Sequence, residues 1–182
     1  MFNSKQKLSG STTGAIALVV FCIIGIAWMP HEDSTLEKKM DKLIDKTFED
    51  EVLKEHIEVP DSVLMFPEDD EVCALISGGE TIGYLVLNKA YCCRVGGCAV
   101  WDPSEQDEGH DIFYYVTITN PDLTIKTVRI IEYHSAYGYE ITNKRWLKQF
   151  EGSLCCDLEF GEDVDVISGA TISAESMVYN ID

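Results

Sequence analysis

The stretch IFYYVTITNPDLTIKTVRIIEYH, residues 112–134, decides the fold. Aromatic and β-branched residues fill both halves, and Asn120, Pro121 and Asp122 interrupt them with turn chemistry. Two strands, 112–119 and 123–134, joined at 120–122 are the expected reading, and so short a connection makes them antiparallel. Upstream, EVCALIS (71–77) and TIGYLVLNKA (81–90) flank Gly78, Gly79 and Glu80, which reads as a second hairpin. A sheet of at least four antiparallel strands follows. The polar stretch WDPSEQDEGHD, 101–111, is expected to be a surface loop between the hairpins.

Outside these strands the period changes. In 33–58, Leu36, Met40, Leu43, Ile44, Phe48, Val52 and Leu53 recur at helical spacing with charges between them, and Pro60 closes the run. Residues 33–58, within a segment bounded at 31–59, therefore read as an amphipathic helix, continuous or broken near its middle, whose apolar stripe packs on the domain. KRWLKQFEG, 144–152, predicts a short helix with Trp146, Leu147 and Phe150 facing inward and Gly152 ending it. A last helix is expected to start between Gly169 and Ile172. The fold class is α+β, an antiparallel sheet with packed helices; no repeated βαβ unit supports a dinucleotide-binding sheet.

The N-terminus carries a separate signal. TTGAIALVVFCIIGIAWM, residues 12–29, holds no charge, and Pro30 closes it. At 1.5 Å per residue the run reaches about 27 Å, near the short end of a membrane span. Lys5 and Lys7 precede it, whereas His31, Glu32 and Asp33 follow. This asymmetry predicts a cytoplasmic tail (1–11), a membrane anchor (12–30), and residues 31–182, with the domain 60–182 among them, outside the cytoplasm. A cleavable signal peptide shares the lysines and the apolar core, but the length of the run and the bulky Trp28 after Ala27 favour an uncleaved anchor. All 32 acidic residues lie beyond Pro30, against 12 of the 14 basic ones, so residues 31–182 carry 12 − 32 = −20. Such a surface repels nucleic acid, which is not expected as a partner.

Cys22 belongs to the apolar run, and six cysteines remain: Cys73, Cys92, Cys93, Cys98, Cys155 and Cys156. In an exported domain they can form disulfides, although six cysteines allow 15 complete pairings. The loop CCRVGGC is expected to close through Cys98 with Cys92 or Cys93. The adjacent Cys155 and Cys156 are expected to seek different partners. With no CxxC pair and no nearby histidine in this loop, no residues are assigned to a metal, and a thiolate cluster for iron and sulfur stands as the alternative to the disulfide.

DVDVISGATISAE, 163–175, raises the question of chemistry. A strand ending at Ile167 and turning through Ser168 and Gly169 into a helix would aim unpaired amides at a phosphate, with hydroxyls from Ser168, Thr171 and Ser173. By itself the same pattern also serves as an ordinary helix cap. The wider pattern is more specific. Asp165, two residues, then Ser168, Gly169, Ala170 and Thr171 resemble the attachment motif of the FMN-binding domain family. That family includes the small flavoprotein subunits of the Rnf electron-transport complex and of the sodium-pumping NADH:quinone reductase. The resemblance covers roughly 75–182, through GYLVLNKA, the two strands of 112–134 and HSAYGYEITNKRWLKQFEG.

The resemblance implies FMN joined through its phosphate to Thr171, surrounded by Ser168, Gly169, Ala170, Ile172 and Ser173. Asp165 would order the turn or assist attachment by a separate flavin transferase that uses FAD. Tyr137, Gly138, Tyr139 and Glu140 would approach the flavin body, although either tyrosine also fits a core position. Trp146 is expected in the core, and His134 at a strand end without a triad. One departure stands out: Ser135, Ala136, Tyr137 and Gly138 replace the GluThrProGly segment of the respiratory subunits, and the chain looks closer to short single-pass members with a CRVGGC loop. The expected function is a membrane-anchored electron carrier exchanging electrons with membrane or periplasmic redox proteins, with no catalytic residue of its own. An FMN-dependent reductase of a small substrate is the runner-up, and a disulfide-stabilised envelope binding protein the third reading.

Overall fold

The structure, a computed structural model, describes residues 34–60, 71–94, 110–154 and 158–181. The apolar run 12–29, most of the loop 101–111, Cys98, Cys155 and Cys156 lie outside these residues. Among the described residues no helix is long and apolar enough to cross a membrane.

Five antiparallel strands form one sheet in chain order: β1 (Leu53–His56), β2 (Glu71–Ser77), β3 (Glu80–Cys92), β4 (Asp111–Thr119) and β5 (Ile125–Tyr133). The fold is α+β. The expected β4–β5 hairpin closes through the 120–122 turn, where Asp122 accepts from the Thr124 amide at 3.1 Å and from the Thr124 hydroxyl at 2.7 Å. Alternation along β4 sends Phe113 and Tyr115 to one face and Val116 and Ile118 to the other, and each face has its own core. At Gly83 in β3 a Cβ would lie 2.1 Å from the Thr119 backbone oxygen. Only a residue without a side chain lets β4 come that close.

One face is covered by α1 (Ser34–Thr47), whose Leu36, Met40 and Ile44 are buried, Met40 and Ile44 against Cys73, Leu75, Leu85, Val116 and Ile118. Each side chain so buried contributes roughly 1.5–3 kcal/mol. The expected helix over 33–58 is corrected here: it stops at Thr47, and residues 53–56 are a strand. LKEH pairs with β2, Lys54 opposite Leu75 and His56 opposite Cys73, so an open strand edge overrides a helical pattern that charged residues extend only weakly. Leu53, assigned to the helical stripe, is exposed.

The other face carries the second core. There α2 (Lys144–Leu147), the 3₁₀ turn Lys148–Phe150 and α3 (Thr171–Ile181) bury Trp146, Leu147, Phe150, Ala174, Met177 and Val178 against Phe113, Tyr115, Ile125 and Val128. The helix expected over 144–152 is thus a single α-turn followed by a 3₁₀ turn. Its three inward residues are buried, and Gly152 ends the segment at φ +91°. Asn143 caps it, its side-chain oxygen accepting from the Arg145 amide at 2.9 Å.

Candidate functional site

The stretch 163–175 does not enter its helix from a strand. Val164 forms a lone bridge to Phe160, and residues 165–167 are irregular. Side chains replace the missing ladder: the Asp165 amide donates to Gln149 Oε1 and Trp146 Nε1–H donates to the Asp165 carbonyl, both at 2.9 Å. With these backbone groups satisfied, no neighbouring strand is required. Trp146 is therefore a core anchor that also fixes the approach to the turn.

Gly169 reverses the chain at φ +85°, and the Ala170 amide closes the turn on the Ile167 carbonyl at 3.1 Å. Helix α3 begins at Thr171, and the Ala174 amide bonds to the Ala170 carbonyl at 2.9 Å. The amides of the first turn have no partner within the helix, which leaves a positive, donor-rich end. Ser168, Gly169 and Thr171 are exposed at this end, while Ile172 is half-buried and Ala170 is buried. The Thr171 hydroxyl leans on the Ile167 carbonyl at 3.4 Å, the long limit of a hydrogen bond. Ser173 differs from the expectation for a phosphate neighbour: its hydroxyl is buried and lies 3.1 Å from the Tyr133 hydroxyl.

The second expected stretch arrives at the same place. Gly138 adopts φ +75°, and a Cβ there would stand 2.7 Å from the Tyr133 hydroxyl, 3.0 Å from Ser173 Oγ and 3.4 Å from Ala170 Cα. Tyr133 donates to the Tyr137 carbonyl, so one phenol ties the 135–138 turn to the first turn of α3. Ser135, standing where the respiratory subunits have glutamate, is buried; its hydroxyl donates to the Cys93 carbonyl and accepts from the Tyr137 amide at 3.1 Å. Tyr137 and Tyr139 are 48% and 65% exposed, so neither ring joins the core, and Tyr139 stands edge-on to Tyr133 at 6.2 Å. Glu140 is exposed beside them.

A shallow cavity of about 460 Å³ opens between these segments, lined by Glu140, Arg145, Trp146, Asp165, Val166, Ile167 and Ser168, among others. It offers an apolar floor with acidic groups and one guanidinium at the rim. Arg145, Gln149 and Tyr133 were not among the residues expected at the site. Tyr133 reads in sequence as one more aromatic in a strand, and nothing local marks its role. His134 lies at the strand end, exposed, against Glu132, whose carboxylate also meets Lys39 at 3.6 Å. No triad forms there.

Beneath the turn, burial pushes the Cys92 thiol up to about 11, helped by the charge of Asp111, and burial pushes the Tyr133 phenol up to about 12. Their ordinary values are 9.0 and 10.0, so between these and the raised values the unfolded chain binds fewer protons than the folded one. Stability from both groups is complete below about pH 9 and declines through about pH 9 to 12. A urea midpoint that falls from pH 8 to about pH 10.5 in the native chain, and falls less in Tyr133→Phe, is the expected result.

The geometry fits a phosphorylated planar cofactor: an open helix N-terminus, two exposed hydroxyls, a glycine turn, and an apolar cavity beside exposed aromatic rings. Compared with known families, residues 109–181 match the model of the FMN-binding domain. No curated protein matches the chain. The matched span, residues 109–181, contains the whole of 137–140 and 165–173, and the family it matches is the one the sequence resembles.

Proposed function

We propose that this chain is a membrane-anchored electron carrier of the cell envelope, with FMN held by a phosphoester to Thr171 Oγ. The observation that carries the reading is an exposed Thr171 hydroxyl at the open end of α3, behind a left-handed Gly169, within the FMN-binding match. Attachment by a flavin transferase would join Thr171 Oγ to the FMN phosphate of FAD, release AMP, and pass the hydroxyl proton to solvent. The helix-end amides and Ser168 then neutralise and hydrogen-bond the phosphate. Asp165 is exposed and carries charge of the wrong sign for a phosphate contact, so its part is to shape the turn and meet the transferase.

FMN supplies the electron-transfer chemistry when bound, and the chain positions it. Tyr137, Tyr139, Val166 and Ile167 offer apolar surface to the ring, Glu140 and Arg145 set the charge at its edge, and Gly138 keeps both loops together. The apolar run 12–29 and its flanking charges support an anchor with the domain on the periplasmic side, where redox partners in or beside the membrane are within reach. Cys92 is a free, buried thiol, which supports Cys93 over Cys92 as the residue that closes the CRVGGC loop with Cys98.

Coexpression with an active flavin transferase, followed by intact-mass measurement under denaturing conditions, tests the attachment. A gain of one FMN minus one water, mapped to the peptide containing Thr171, is expected. An unchanged mass, with the transferase shown to modify a known acceptor in the same cells, sinks the proposal.

A further inference from the structure

On the opposite face of the sheet from α3, three donors of different chemistry converge. β1 and β2 are antiparallel, and their register sets His56 directly opposite Cys73. Glu71 lies two residues before Cys73, on the same face of β2. One ligand atom from each of His56, Glu71 and Cys73 lies within 4.8 Å of the other two. The Cys73 thiol already approaches Glu71 Oε1 at 3.3 Å. Bonds of tetrahedral zinc to sulfur, nitrogen and oxygen place neighbouring ligand atoms about 3.5 Å apart, so small side-chain rotations close the set.

We propose that His56, Glu71 and Cys73 bind a divalent ion of the zinc class, with the fourth position open to water. One imidazole, one thiolate and one carboxylate form a mixed set that suits a borderline-soft ion better than calcium or magnesium, which take oxygen. The burial gradient gives the site a direction: Cys73 is 2% exposed and forms the floor, Glu71 is half-buried, and His56 is exposed at the rim. The open position therefore faces solvent. On binding, the thiol proton leaves to solvent as the sulfur–metal bond forms. Lys54 lies on the same face, and its charge is met by Asp41 at 2.7 Å and Glu37 at 3.8 Å from α1, so it does not stand as an uncompensated cation beside the ion. β1 is a short edge strand, and the ion would fasten it to β2 through side chains from both strands.

The site is independent of the flavin and is tested without it. Full-length chain produced without flavin transferase, reduced and stripped with chelator, is titrated anaerobically with Co²⁺. The expected result is a thiolate-to-cobalt charge-transfer band and tetrahedral visible bands that saturate at one ion per chain and are displaced by Zn²⁺. Cys73→Ser loses the charge-transfer band. His56→Ala, a change at an exposed position, keeps the fold by circular dichroism and binds Zn²⁺ at least about tenfold more weakly in competition with a chromophoric chelator. A native chain without the band overturns the proposal, as does a band that persists in Cys73→Ser or an affinity unchanged in His56→Ala.

Discussion

Replacing Thr171 with alanine is expected to abolish covalently bound flavin while the domain stays folded. The two halves of this expectation rest on different observations. Thr171 is exposed, and its hydroxyl makes one marginal contact, 3.4 Å to the Ile167 carbonyl. Alanine also suits the first turn of a helix, so stability changes by no more than about 0.5 kcal/mol. The phosphoester, in contrast, has no substitute oxygen at that position. Flavin fluorescence of the denatured chain should fall from full labelling to background. Thr171→Ser retains the oxygen and should be labelled, more slowly because serine holds its χ1 less firmly. Ser168 is the nearest exposed hydroxyl in the motif, so Ser168→Ala should keep the label. Full labelling of Thr171→Ala would move the attachment elsewhere and leave the helix end as a cap.

A covalent bond also fits the shape of the site. The cavity of about 460 Å³ is shallow, and much of the aromatic surface beside it, on Tyr137 and Tyr139, remains open to water. A cofactor lying there buries less of its area than one in a closed pocket, and binding through contacts alone is correspondingly weaker. An ester to Thr171 makes retention independent of that area.

The strands of 112–134 were legible because alternation and turn chemistry agree, and the β4–β5 hairpin follows from them. Strand β1 was hidden. LKEH has one apolar residue, which is exposed, and it becomes a strand because the open edge of β2 offers partners. The site divides in the same way. SerGlyAlaThr at 168–171 announces itself by local pattern, while the contact between Gly138, Tyr133 and Ser173 depends on tertiary packing that no spacing encodes. The Ile167 strand failed for a related reason: Trp146 and Gln149, far back in the chain, satisfy the backbone groups that a strand would have needed. His56, Glu71 and Cys73 are likewise gathered by strand register alone.

Gly138→Ala is expected to cost about 2–5 kcal/mol of stability and to reduce flavin labelling severalfold. Two penalties combine. At φ +75° a residue with a Cβ is strained by roughly 1–2 kcal/mol. The new carbon would also sit 2.7 Å from the Tyr133 hydroxyl and 3.0 Å from Ser173 Oγ, an overpacking that typically costs about 1–3 kcal/mol. Gly169→Ala separates the two, because at φ +85° its Cβ meets nothing within 4 Å. It should carry only the backbone strain, and urea midpoints should place Gly138→Ala well below Gly169→Ala. The steric part has an internal check. Tyr133→Phe removes the oxygen at 2.7 Å, so in that background Gly138→Ala should cost less than it does alone, by about 1 kcal/mol. The labelling loss follows the same contact: if the alanine pushes Tyr133 away, Ser173 and the first turn of α3 move with it, and Thr171 leaves the position in which the transferase must find it. Equal costs for the two glycine substitutions, or strict additivity with Tyr133→Phe, would mean that the turn at 138 is held by backbone conformation alone and does not set the geometry of the helix end.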